Sequence, residues 1–138
     1  MILSMRQGFT LIELLVVTTI IAMIASFSFI QFEGYRARVR DVERETTMKE
    51  LQKALALYIA EKRAFPQETR ITITGADPFS RELIDAGVIQ AIKPDPRSSG
   101  DYVYKYDSSS GVTYTITYWL ETDSIPGKSK GRPQSVSP

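Results

Sequence analysis

The sequence predicts an α+β protein in which one long N-terminal helix packs on a small antiparallel β-sheet. Three observations predict it. Residues 14–30 carry no charge and lead into a stretch where Val42, Met48, Leu51, Leu55, Tyr58 and Ile59 recur at near-helical spacings. Phe65-Pro66 interrupts that pattern, because proline disfavours a helical residue ahead of it and donates no backbone hydrogen bond. Beyond it, residues 102–106 and 112–121 alternate as strands do. In the second of these, Tyr114, Ile116, Tyr118 and Leu120 share one face, and Thr113, Thr115, Thr117 and Trp119 the other.

Composition narrows the function. The 138 residues have room for one domain, and 17 basic against 16 acidic residues leave no field that calls for nucleic acid or an anionic surface. Cysteine and histidine are both absent, which excludes disulfides, thiolate metal sites and the commonest general base. No phosphate loop and no catalytic triad is present, so the chain reads as a protein that is not an enzyme.

The first element is the apolar run. From residue 9 to 32 a helix would rise about 36 Å, enough to cross a hydrocarbon core of about 30 Å. Its polar members Thr18, Thr19, Ser26 and Ser28 can return their hydroxyls to the helix backbone. A secretory signal peptide fits less well, since Arg6 is the only basic residue before the run and an acid stands near its start. That acid is Glu13. A carboxylate in hydrocarbon costs several kcal/mol unless it is paired, protonated or drawn to the interface. Two readings stand on chemistry alone: Glu13 reaches headgroup water, or it is functional. Thr10 followed by Glu13 three residues later also forms the sequence pattern of a capping box.

The residues Arg6-Gln7-Gly8-Phe9-Thr10-Leu11-Ile12-Glu13-Leu14-Leu15-Val16-Val17 resemble the processing signal of type IV prepilins and type II secretion pseudopilins. The resemblance implies a leader of residues 1–8, cleavage between Gly8 and Phe9 by a prepilin peptidase, and N-methylation of Phe9. It further implies an assembly salt bridge in which Glu13 pairs with the Phe9 amine of a neighbouring subunit, as two charges unwelcome in lipid offset each other. Gly8 would leave room for the peptidase to approach the backbone. The sequence departs from the family in having Gln7 directly before Gly8 and Ile30 where many relatives carry a helix-kinking proline.

From the same resemblance the chain is expected to be a structural subunit of a type IV pilus or related filament, or else a type II secretion pseudopilin. Its partners would be copies of itself and related pilins, the prepilin peptidase, membrane lipid before assembly, and an inner-membrane platform with a motor ATPase. The precursor would sit in the inner membrane with its N terminus cytoplasmic, then move to the pilus, periplasm or cell surface. Flanking charge alone argues the opposite topology, since Arg36, Arg38, Arg40 and Arg44 follow the apolar run. A single-span anchored protein that binds a ligand and never polymerises is the other class.

The remaining elements follow in order. Residues 33–64 continue the helix as an amphipathic segment whose wet face is supported by Asp41 with Arg44 and Glu45 with Lys49. Residues 65–123 form the head. Within it, residues 71–74 read as a short strand, residues 78–86 as a helix capped by Asp77, and Lys93-Pro94-Asp95-Pro96 as a rigid turn. Tyr102, Tyr104 and Trp119 offer stacking surfaces, with core packing as the alternative. No cofactor is expected. Asp95, Asp101, Asp107 and Asp123 are the candidates for Ca²⁺, which some secretion pseudopilins bind near the C terminus, but they show no regular ligand spacing. Residues 124–138 lack periodicity and aliphatic mass and read as a flexible tail.

Overall fold

The computed structural model describes residues 8–138, apart from the side chains of residues 27–31. Arg6, Gln7 and the leader before Gly8 lie outside the described residues, and so does the Ile30 side chain. The first element, α1 (Leu11–Lys62), belongs to two compact units, Met1–Arg36 and Ala37–Pro138.

In the first unit α1 stands with its aliphatic side chains uncovered, among them Leu11, Ile12, Leu15 and Ile24. The hydroxyls of Thr18 and Thr19 both donate to the Leu15 carbonyl, at 3.0 and 2.7 Å, and Ser26 donates to that of Ala22 at 2.8 Å. Each polar group is thereby satisfied without water. Among the described residues no helix is long and apolar enough to cross a membrane.

In the second unit α1 buries Asp41, Arg44, Met48, Leu51, Leu55 and Tyr58, a stripe at alternating steps of three and four. Three sequence expectations are corrected here. Val42 lies outside the stripe and is 56% exposed, and Asp41 with Arg44 belongs to the dry face rather than the wet one. Glu45 pairs with Lys128, not with Lys49. α1 stops where Arg63 turns left-handed, at φ 66, with its N–H on the Ile59 carbonyl at 2.9 Å, just ahead of Phe65-Pro66.

The sheet follows as β1 (Glu68–Ile73), β2 (Tyr104–Ser108), β3 (Thr115–Trp119) and β4 (Pro133–Val136), antiparallel throughout and ordered β1-β2-β3-β4. β1 begins three residues earlier than the sequence suggests, across a bulge between Glu68 and Ile71. Between β1 and β2 lies α2 (Pro78–Asp85). Asp77 caps it, accepting from the Ser80 N–H at 2.9 Å while also taking the Thr74 N–H at 2.7 Å. Burial alone would raise the Asp77 carboxyl, but these hydrogen bonds outweigh it and lower its pKa. Gly75, at φ +84, lets the chain pass this corner, since a Cβ there would lie 2.4 Å from the Ile92 carbonyl oxygen.

The stripe of α1, the inner face of the sheet and α2 enclose one core. Ile73, Phe79, Leu83, Tyr104, Tyr106, Ile116, Tyr118 and Leu120 are buried in it beside Met48, Leu51 and Leu55. Phe79 stacks on Tyr106 with centroids 4.0 Å apart, and Phe65 meets Tyr114 edge-on at 4.8 Å. Of the expected stacking residues, Tyr104 is fully buried and Tyr102 and Trp119 are half-buried.

The expected tail is also corrected. Residues 133–136 pair with β3 as an edge strand, and Ile125 and Val136 pack against the core. An edge strand tolerates Pro133 and a polar composition, because it is held through backbone pairing on one side. That is why no hydrophobic alternation announced it.

Candidate functional site

The N-terminal motif is built on the first turn of α1. Thr10 precedes Leu11, and its hydroxyl accepts the Glu13 N–H at 3.3 Å. Glu13 reaches back in turn, its Oε2 accepting the Thr10 N–H at 2.9 Å and the Thr10 hydroxyl at 2.8 Å. This is the reciprocal capping box that the sequence suggests. Two of the backbone donors at the helix start are satisfied by it, and the carboxylate lies where the helix dipole favours negative charge. Oε1 accepts no hydrogen bond among the described residues.

Around the carboxylate stand Phe9, Ile12, Val16 and Val17, which line a shallow groove with it and are exposed. Gly8 is exposed as well. A Cβ on it would meet nothing within 4 Å among the described residues. Packing against the described residues therefore does not require glycine at that position.

Residues 3–29 match the family model described as the prokaryotic N-terminal methylation motif. The N-terminus therefore carries a prepilin-type methylation motif, and the chain is similar to a type IV pilin and to a type II secretion pseudopilin. It is 38% identical over 106 residues to the type IV major pilin protein PilA of Myxococcus xanthus, an alignment that covers 77% of this chain and 39% of the relative. The chain thus spans about two fifths of that pilin's length, 39%. It is 25% identical over 116 residues to the type II secretion system core protein G of Vibrio cholerae, covering 81% of this chain and 79% of the relative. No solved structure matches. The long helix on a four-stranded antiparallel sheet is the pilin-like α+β architecture.

The head holds a second polar constellation that sequence reasoning missed. Arg44 is fully buried and donates to Asp95 at 2.7 and 2.9 Å, to Asp41 at 2.7 Å and to Glu121 at 2.8 Å. Burial would pull its pKa down, but these carboxylates more than offset that and hold it above the ordinary arginine range. Glu121 also takes a two-pronged bond from Arg40, at 2.8 and 2.7 Å. Hydrogen bonds from Arg40, then from Arg44, lower its carboxyl to about 2 against the opposing effect of burial. Asp41 is completed by the N–H groups of Glu121 and Thr122 at 3.0 and 2.8 Å and by the Thr122 hydroxyl at 2.7 Å. The network clamps the first turns of α1 in the head to the loops at residues 95–97 and 121–122.

Its arrangement also bears on the calcium candidates. Asp95 is engaged by Arg44 and by the Arg97 N–H, and Asp123 accepts the Lys130 N–H at 2.8 Å. Among the described residues no group of three or more acids is placed to hold a metal ion.

Proposed function

We propose that this chain is the precursor of a structural filament subunit, cut between Gly8 and Phe9, N-methylated on Phe9 and assembled through its N-terminal helix. The observation that carries the reading is Glu13, a carboxylate with one free oxygen on the first turn of an otherwise uncovered apolar helix. A carboxylate there needs a cation once the helix leaves water, and the amine created at Phe9 by cleavage is such a cation. In stacked copies the amine of one subunit pairs with Glu13 of its neighbour, and the uncovered aliphatic faces bury each other. The glycine before the cut serves the peptidase.

In this reading the precursor is held in the inner membrane by residues 9–32 with its N terminus cytoplasmic, and an assembly platform driven by a motor ATPase extracts it. The chain is a substrate of enzymes rather than an enzyme. Mass spectrometry of the mature protein tests processing: it should begin at N-methylated Phe9, and an uncut start at Met1 or Met5, or a cut near Ala25, would overturn the reading.

A secretion pseudopilin is the second reading, supported by an alignment that runs along most of the secretion core protein. The alignment covers 79% of the secretion core protein but only 39% of the major pilin. Deleting the gene separates the two. Loss of surface fibres identifies a pilus subunit, and blocked protein export with fibres unchanged identifies a pseudopilin.

A further inference from the structure

The face of the sheet turned away from α1 has a chemistry that neither the core nor the filament motif uses. Strand alternation sends Tyr104, Tyr106, Ile116 and Tyr118 inward to burial, which turns Lys105, Asp107, Thr115, Thr117 and Trp119 outward. The strand register then places Thr72, Lys105, Thr117 and Ser135 in a single row across all four strands. At the usual strand separation that row is about 14 Å long. Beside it Trp119 stands opposite Pro133.

Trp119 is the one tryptophan of the chain, and it is half-buried on this polar face instead of in the core. Its indole N–H makes no hydrogen bond among the described residues, so an apolar ring with a free donor lies beside the hydroxyls. Lys105, exposed at the middle of the row, has no ion-pair partner among the described residues. Lys130 and Arg132, also exposed, precede β4 in the chain. The acids nearby are Asp107, half-buried in the neighbouring row opposite Thr115, and Asp123, whose carboxylate is occupied by the Lys130 N–H.

We propose that this face binds an anionic polysaccharide, with a sugar ring stacked on Trp119, sugar hydroxyls on the Thr72–Thr117–Ser135 row and an acidic substituent at Lys105. Charge complementarity selects the acidic class, because Lys105 is the uncompensated charge at the centre of the row. A nucleic acid would want a string of basic contacts to successive phosphates, and this face offers one central lysine in a chain of net charge +1. A protein partner would want an apolar centre to bury, and here only Trp119 and Pro133 supply one.

Because the chain has a single tryptophan, its emission reports directly on the proposed site. The full-length protein in detergent is titrated with polygalacturonate, with neutral dextran and with single-stranded DNA. The expected result is quenching by polygalacturonate that weakens with added salt, little response to dextran, and an affinity about tenfold lower in Lys105→Glu. Circular dichroism of that variant checks that its fold is retained, and Thr117→Val, which leaves all charges in place, should weaken binding as well. Unchanged tryptophan emission with polygalacturonate would overturn the proposal. So would DNA binding of equal strength, dextran binding of equal strength, or full affinity in both variants.

Discussion

Asp41 and Arg44 face each other at 2.7 Å on consecutive turns of α1, and neither side chain has any exposed surface. Removing one partner of a buried ion pair leaves the others uncompensated, at a cost of about 3–5 kcal/mol. Arg44→Met should therefore destabilise the head by about that amount, since three carboxylates lose their shared cation. Arg36→Met, whose contacts are the exposed Glu33 and the exposed ring of Phe32, should change stability by less than about 0.5 kcal/mol. Urea unfolding of both variants checks the contrast, and equal midpoints would remove the clamp from the account of head stability.

Glu121 makes the same network sensitive to acid. Its carboxyl lies at about 2 in the folded head against an ordinary 4.5. A carboxyl lowered on folding stabilises above its unfolded pKa, and that contribution is lost as pH falls through the folded value. Stability should thus decline between about pH 4.5 and 2, by up to about 3 kcal/mol from this group. Glu121→Gln should be less stable at neutral pH and show a flatter profile across that window. A Gln variant with an unchanged acid limb would rule the group out.

The C-terminal segment gives the third expectation. Lys128 donates to both Glu45 oxygens, at 2.7 and 2.8 Å, and to the Tyr118 hydroxyl, which ties the connection between β3 and β4 to α1. Lys128→Met should loosen β4 without unfolding the core. Faster amide exchange at residues 133–136 than in the parent checks this. The chain has no cysteine, so Thr117→Cys with Ser135→Cys tests the register independently. A disulfide within one chain is expected, and only intermolecular crosslinks would contradict the pairing.

What was legible in the sequence depended on whether a residue's neighbours along the chain betray its environment. The helix, its stop before Pro66, the Asp77 cap and the inward set Tyr114, Ile116, Tyr118 and Leu120 all follow from local periodicity and breakers, and the structure has them. Asp41 with Arg44 was read as a pair from helical spacing, but the rest of the network was hidden because its other acids come from residue 95 and residue 121, distant in sequence. One local signal did exist. Continuing the stripe of Met48, Leu51, Leu55 and Tyr58 backwards in steps of four and three lands on Arg44 and Asp41. Charge type hid that phase, since arginine and aspartate are ordinarily read as solvated. β4 was hidden for the opposite reason, because an edge strand held by backbone pairing needs no apolar alternation.

The motif itself was fully legible, but its two roles are superposed on one side chain. Glu13 caps α1 through Thr10, and in the filament reading it also supplies a negative charge to a neighbour. Glutamine separates them, because it can complete a capping box while carrying no charge. Thr10→Ala removes the cap and should cost about 1 kcal/mol of helix stability while leaving the carboxylate in place. If the charge is what assembly needs, Glu13→Gln should retain helicity by circular dichroism yet sharply reduce filament yield, with Thr10→Ala milder in its effect on yield. Normal filaments from Glu13→Gln alongside failed assembly of Thr10→Ala would mean that Glu13 acts through the cap, and the pairing of its carboxylate with the Phe9 amine would have to be abandoned.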